Sequence, residues 1–377
     1  HESVQTNENV QRRRFESGFV PKQKVISRQY LSTKIQHIAV MRLSAMGDVA
    51  MTVPILRALA NQYPELKITV ISRPFFQPFF KDIPHLHFFA FDEKERHKGI
   101  KGLWRLYQDL KALQIDAFAD LHNVLRSKVV RTLFALSGKK VAFVDKGRVE
   151  KKALTRAENK IFQPLPSMFE RHQLVFQTLG FPIDLAQPQF SEKAPIAPPE
   201  VAEIVAQSEK IIGIAPFAQY DSKVYPLDLM QEVIDALATN KNHTIFLFGG
   251  GQKEKEQLQT LVGNKTNVLN MAGKIPFQEE LNLISNLNVM LSMDSGNAHI
   301  AAMLGVPVVT LWGATHPFAG FLPFNQTLDN ALISDRNQYP QLPTSVYGNK
   351  KVAGYENAMR TILPEQVVAR IESILKG

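Results

Sequence analysis

The stretch MDSGNAHIAAMLGVPVVTLWG (293–313) sets an acid, Asp294, before two small residues, Ser295 and Gly296, and an imidazole, His299. The apolar run LNVMLSMD reads as a buried strand and NAHIAAML as a helix. Ser295 and Gly296 then open that helix, where free backbone N–H groups and the positive dipole end suit a phosphate. Taken plainly, Ser295 is a helix cap. Gly296 and Ala298 favour the ligand reading, because small residues let a ligand approach the backbone. In IAPFAQYDSKVYP (214–226), Lys223 follows another strand and can meet a diphosphate as a point charge, although a loop lysine is more often simply solvated. FLFGGGQKEKEQ (246–257) places three glycines between a strand and a helix, with Glu254 in reach of a ribose hydroxyl. It is neither GxGxxG nor a P-loop, and a flexible turn is the plain alternative.

A second set lies nearer the N-terminus. In RLSAMGDVAMTVP (42–54), Gly47 permits a tight turn that aims Asp48 into a cleft. A carboxylate there can accept the proton of a hydroxyl nucleophile; otherwise Asp48 is a cap. DLHNVLRSK (120–128) puts His122, Asn123 and Arg126 at a further strand end, where Arg126 can fork onto a carboxylate or phosphate. There is no Asp-x-Asp triplet, HExxH or GxSxG, and His85 and His87 read as surface or core. No metal site and no resident cofactor are expected.

These residues need elements to hold them at strand ends. IQHIAVMRL, LKITVIS, LHFFAFD, DAFADLH and KVAFVD read as strands in the first half, separated by helical stretches such as LWRLYQDLKAL and SKVVRTLFALSG. Pro54 starts or kinks the helix after Asp48. The segment 180–200 holds five prolines and little periodicity, which marks a linker. The alternation restarts with KIIGIAP, HTIFLFG, TNVLN, NVMLSMD and VPVVTLW. Apolar strands alternating with helices indicate parallel sheets covered on both faces. The expected fold is α/β, with two doubly wound, Rossmann-like domains facing across a cleft. Ligands of such sheets bind at the carboxyl ends of the strands. The expected divisions are a basic arm (1–34), an acceptor-side domain (35–185), a proline-rich linker (186–200), a nucleotide-sugar-binding domain (201–362) and a closing helix from Pro364 (363–377) that could cross back to the first domain.

The length, 377 residues, exceeds one typical core. Hydrophobic residues at 45% and charged ones at 21% are those of a soluble globular chain. The absence of cysteine excludes disulfides, thiolate metal sites and a cysteine nucleophile. No apolar run approaches the roughly 18 residues of a spanning helix, and no secretory signal is read. The formal charge of +9 is concentrated: residues 1–34 carry seven Lys/Arg against three acids, and residues 138–160 carry eight against three. Such segments are either solvated surface or contacts for something anionic, such as a phospholipid surface or a phosphorylated glycan. No nucleic-acid motif is present, so nucleic acid is not an expected partner.

In their order and spacing, RLSAMGDVAMTVPILRAL, APFAQYDSKVYP and MDSGNAHIAAMLGVPVVTLWGATHP resemble the ADP-heptose:lipopolysaccharide heptosyltransferases, inverting glycosyltransferases of the GT-B fold. The resemblance covers about residues 35–376, and SAMGDVAMTVP is most similar to Bacteroidetes-type members. It implies Asp48 as catalytic base, Lys223 on the donor diphosphate, and Asp294, Ser295, Gly296 and His299 around the donor phosphates and sugar. It implies Glu254 near the ribose, and Arg126, with His122 and Asn123 in the same region, toward an acidic acceptor. It further implies an ADP-heptose donor, a lipid-linked glycan acceptor, and a cytoplasmic enzyme that can lie peripherally on the anionic inner membrane. Phe217-Ala218-Gln219 departs from the family, which often has Thr or Ser before the lysine. Two alternatives stand beside this one. A nucleotide-sugar epimerase or dinucleotide oxidoreductase would want GxGxxG after the first strand. A non-catalytic glycan- or lipid-binding relative would keep the fold without turnover.

Overall fold

The ten runs read above as strands become strands of two parallel sheets, and the central ones do so because they are buried on both faces. The computed structural model describes residues 35–377, so the basic arm at 1–34 lies outside the described residues. The first sheet contains β1 (His37–Met41), β2 (Lys67–Ser72), β3 (Leu86–Ala90), β4 (Ala117–Asp120) and β5 (Lys140–Phe143), in the order β3-β2-β1-β4-β5. The helices of this half are α1 (Met46–Ala50), α2 (Thr52–Gln62), α3 (Gly99–Ala112), α4 (Leu125–Leu136), α5 (Arg148–Thr155) and α6 (Met168–Leu179). The second sheet contains β6 (Lys210–Ala215), β7 (His243–Leu247), β8 (Val268–Asn270), β9 (Val289–Met293), β10 (Val308–Trp312) and β11 (Ala331–Ile333), in the order β11-β10-β9-β6-β7-β8. Its helices are α7 (Pro199–Gln207), α8 (Leu227–Ala238), α9 (Gly251–Val262), α10 (Phe277–Ser285), α11 (Gly296–Met303) and α12 (Pro364–Lys376). All pairings are parallel.

β1 is central, so Ile38, Ala39, Val40 and Met41 are all fully buried. Past it the chain makes one short helix, turns at Met51 and restarts at Thr52, whose hydroxyl donates to the Val49 carbonyl (2.7 Å). Pro54 therefore falls in the first turn of α2, where a missing N–H costs nothing.

The halves are held by specific contacts. A single hydrophobic cluster joins Ile38 and Leu56 of the first half to Ile300 and Val308 of the second. Phe75 stacks on Phe277 (ring centroids 4.5 Å). The segment between α5 and α6 leaves the first sheet and clasps the second half: the Leu165 and Met168 amides donate to the Phe318 and Gly320 carbonyls (both 2.9 Å), and Arg336 lies 3.4 Å over the Phe162 ring. The linker is tied first to α2 through Gln62 and Asp184, then to α10 through Ala194 and Ser285. The closing helix does begin at Pro364 but does not cross back to the first domain. Val367, Ile371 and Leu375 form one stripe that packs with Ile234 and Leu237 of α8. Four-residue spacing gives α12 a single apolar face, and the second core supplies its partner.

Candidate functional site

In each sheet the strand order reverses once: between β1 and β4, and between β6 and β9. Connections from those strands leave in opposite directions and open a crevice at their carboxyl ends. Asp48 follows β1, His122 and Asn123 follow β4, Lys223 follows β6 and Asp294 follows β9. Four of the sequence-selected segments thus lie at the two switch points.

Two glycines bring the crevices together. A Cβ on Gly47 would stand 3.1 Å from the Gly296 Cα and 3.0 Å from the His299 Cδ2, and one on Gly296 would stand 2.7 Å from the Met46 Cε. The start of α1 therefore packs against the start of α11 at backbone distance, which only residues without a side chain permit. Asp48, one residue on, is set beside the second domain. Its Oδ2 pairs with the Arg42 guanidinium (2.6 Å) and accepts from the Ala45 N–H (3.2 Å). Burial alone would raise the Asp48 carboxyl; Arg42, the Ala45 N–H and His299 outweigh it and hold it below the usual carboxylate range. Arg42 is itself buried, and its other terminal nitrogen donates to the Leu121 carbonyl (2.7 Å) at the end of β4. It clamps the Asp48 loop to the sheet. Sequence reasoning missed it, because an arginine after a strand ordinarily reads as solvated; the signal was its place inside an otherwise buried run.

Across the contact, Lys223 pairs with Asp294 (3.0 Å), both largely buried. Gly348, at φ +86°, lies against the lysine stem, where a Cβ would come within 2.5 Å of its Cδ. The ammonium is thereby fixed at the mouth of α11. Ser295 occupies the cap position of α11 but makes no cap bond; its hydroxyl lies 3.1 Å from that of Ser292 instead. The first N–H groups of α11 thus receive no acceptor from their own cap residue. His299 is buried with Nδ1 unpartnered. Burial lowers its pKa more than Asp294 and Asp48 raise it, so the ring is neutral at neutral pH. Asp294 of its own domain and Asp48 of the other both act on the ring.

Glu254 stands apart from this cluster, beside Phe217 at the rim of the second sheet. Its Oε2 accepts from the Gly250 N–H (2.7 Å), so it caps the start of α9. Asn123, at φ +47°, donates to the Val144 carbonyl (2.8 Å), and its N–H donates to buried Asp120 (2.6 Å), which also pairs with Arg131 (3.1 Å). Its amide works for the loop. His122 is driven down to about 3, by burial first and then by Arg42 and Lys146, so it is a neutral ring. Arg126 is 54% exposed and shares Glu93 (2.8 Å) with Arg73 (3.0 Å) at the outer edge of the crevice. The arrangement offers an ionised carboxylate on one wall, and a lysine, an imidazole and free N–H groups on the other. It can take a proton on one side while holding a departing anion on the other.

A family model described as "Glycosyltransferase family 9 (heptosyltransferase)" matches residues 103–350. A lipopolysaccharide core heptosyltransferase, OpsX, of Haemophilus influenzae is 24% identical over 344 residues, covering 89% of this chain and 96% of that protein. A family 9 glycosyltransferase structure from Veillonella parvula superposes with a TM-score of 0.67 at 20% identity, covering 90% of this chain and 97% of the other. The E. coli heptosyltransferase WaaC with ADP superposes with a TM-score of 0.61 at 18% identity, covering 90% and 98%.

Proposed function

Because the chain belongs to glycosyltransferase family 9, the heptosyltransferase family, we propose that it moves a heptose from an ADP-sugar to a lipopolysaccharide inner-core acceptor, with inversion and with Asp48 as base. The observation that carries the site assignment is the backbone contact of Gly47 with Gly296, which sets the Asp48 carboxylate of one domain opposite the Lys223–Asp294 cradle of the other.

The reaction is a single displacement. Asp48 takes the proton of an acceptor hydroxyl as that oxygen bonds to the anomeric carbon. The bond from that carbon to the diphosphate oxygen breaks on the opposite face, and ADP leaves with the electron pair. Lys223 and the first N–H groups of α11 receive the charge that develops on the diphosphate. The neutral His299 imidazole and Asp294 orient the donor sugar and its phosphates, Ser295 and Gly296 bring backbone to the anion, and Glu254 meets the ribose. Arg126 faces the acidic acceptor, with His122 and Asn123 shaping the wall beneath it. The test is turnover of ADP-heptose with a purified inner-core acceptor, read by mass spectrometry and by the configuration of the new bond. Failure to transfer heptose, or a product with retained configuration, sinks this reading.

The acceptor is lipid-linked, and the first domain is proposed to rest on the anionic cytoplasmic face of the inner membrane. Among the described residues no helix is long and apolar enough to cross a membrane. Leu125 and Val149, 79% and 86% exposed, stand after β4 and β5 amid Lys128, Lys146 and Arg148. Each cation near such a surface is worth about 1 kcal/mol. Binding to anionic vesicles should exceed binding to neutral ones and fall with salt; equal binding to both refutes the association.

A further inference from the structure

Between α5 and α6, Lys160 and Phe162 reach out of the first domain and grip a loop of the second, which follows β11. The Lys160 ammonium donates to the Leu154 carbonyl of its own domain (3.0 Å) and to the Pro343 carbonyl of the other (2.7 Å). The Phe162 ring carries the Arg336 guanidinium, and it meets His316 edge to face with ring centroids 5.0 Å apart. Arg336 donates in turn through Nε to the Leu342 carbonyl (3.0 Å). Leu342, Pro343, Thr344 and Ser345 are buried although they belong to no helix or strand. Buried irregular backbone has to find partners for its polar groups, and the partners found here lead to Lys223. The Thr344 and Ser345 amides both donate to the Ala314 carbonyl (2.9 and 3.1 Å), and the Ala314 amide donates to the Ser222 carbonyl (3.1 Å). The Ser345 hydroxyl accepts from the Gly348 amide (2.9 Å), while the Gly348 carbonyl accepts from the Ser222 hydroxyl (2.6 Å). Gly348 is the residue that closes on the Lys223 stem and leaves no room there for a side chain.

Two short chains of contacts therefore run from the first domain to the lysine of the second, one through Ala314 and one through Ser345 and Gly348. We infer that Lys160 and Phe162 are positioning residues for Lys223: they brace the loop from Arg336 to Gly348, and the loop braces the lysine. A lysine stem is otherwise free to rotate, and ordering it before the ligand arrives removes a cost from binding. The inference rests on the reading of Lys223 as the lysine of the donor diphosphate. It makes the nucleotide affinity of the second domain depend on two residues of the first. The dependence is reciprocal: whatever seats Lys223 also tightens the grip of Lys160 and Phe162 on the loop.

The test reads the loop and the nucleotide separately, on the full chain. In Lys160→Met, hydrogen exchange of the Thr344, Ser345 and Gly348 amides should quicken while that of the β6 amides stays as in wild type. Unchanged protection of the loop overturns the inference, and so does an equal loss of protection in β6, which marks a general loosening of the fold. ADP affinity, measured by calorimetry, should fall about 3–30-fold, the range of coupling carried through packed contacts. Made in a Lys223→Met background, Lys160→Met should weaken ADP no further; losses that add mean that Lys160 acts by another route and overturn the inference. Lys160→Arg, which still carries donors for the two carbonyls, should keep the affinity near wild type. Phe162→Leu loosens the same loop from its other end and gives the same comparison if Lys160→Met folds poorly. Should Lys223→Met itself leave ADP affinity unchanged, it is the donor reading that fails, and the exchange of Gly348 in Lys160→Met still decides whether the first domain braces the loop.

Discussion

In the proposed displacement Asp48 must accept a proton, and an arginine 2.6 Å away makes it a weaker base. The chemistry tolerates this. The hydroxyl becomes strongly acidic only as its oxygen bonds to carbon, so the base needs to be ionised and aimed more than it needs a high pKa. Arg42 does both. Asp48→Asn keeps the size and removes the base; turnover should drop about 10²–10⁴-fold while ADP affinity holds. Wild-type-like turnover would move the base elsewhere. Because the folded pKa of Asp48 is lowered, the acid limb of kcat/KM should lie below the ordinary carboxylate range. Removing Arg42, as in Arg42→Gln, leaves burial dominant and should move that limb up. The same sign governs stability. The ionised carboxylate stabilises the fold above its unfolded pKa, and that contribution is lost as pH falls through the folded value. The gap in Tm between wild type and Asp48→Asn should therefore close on acidification. A gap that widens would contradict the depressed pKa.

At the scale of elements, the site is a meeting of two helix starts, and its tolerance is set by what a methyl group would strike. A Cβ at Gly296 meets the flexible tip of Met46, which can swing away; one at Gly47 meets the Gly296 backbone and the His299 ring. Gly47→Ala should therefore be the worse change. It forces α1 off α11 by a few tenths of an ångström and costs up to about 10²-fold in kcat, against about 1–3 kcal/mol of stability for overpacking. Equal activity in both variants would show that the close approach is incidental. The contact was only half legible in the sequence. Gly47 announced a tight turn and Gly296 an approach to backbone, but nothing local says that the glycines meet each other. Strands were legible because central parallel strands are buried on both faces: IAVM is an unbroken apolar run, and VMLSM is interrupted only by the small Ser292. Ala331-Leu332-Ile333 was not, since three residues of edge strand beside polar loops carry no period. Lys151 shows the limit most clearly. In a basic run it reads as surface, yet it is buried with its ammonium 4.1 Å from the Phe321 ring of the second domain, a partner far away in sequence.

For the molecule as a whole, the proposed reaction divides one electrostatic task between the two domains: the wall read as the acceptor side carries a carboxylate clamped by Arg42, and the wall read as the donor side carries Lys223 and the start of α11. A nucleotide diphosphate brings negative charge that must be held in the ground state and held more tightly as the sugar leaves. Many sites meet that demand with a divalent ion bridged by paired acids. Here the sequence has no Asp-x-Asp, and among the described residues no group of three or more His, Asp or Glu side chains could hold a metal. The acid nearest the cradle, Asp294, is already engaged by Lys223 at 3.0 Å. The charge is then carried by an ammonium and a helix start, both fixed before the donor arrives, so the reaction should proceed without a divalent metal. Turnover in EDTA should equal turnover in magnesium; loss in EDTA that Mg²⁺ or Mn²⁺ restores would refute this. Lys223→Met tests the other half of the argument. It removes one charged hydrogen bond, worth about 1.5–3 kcal/mol, and should weaken ADP about 10–100-fold. If ADP affinity survives the change, the lysine does not hold the diphosphate and the cradle must be redrawn around α11 alone. Since Lys223→Met also leaves Asp294 without its partner, Asp294→Asn with Lys223→Met should recover stability but not ADP affinity, separating a lost ligand contact from a stranded acid.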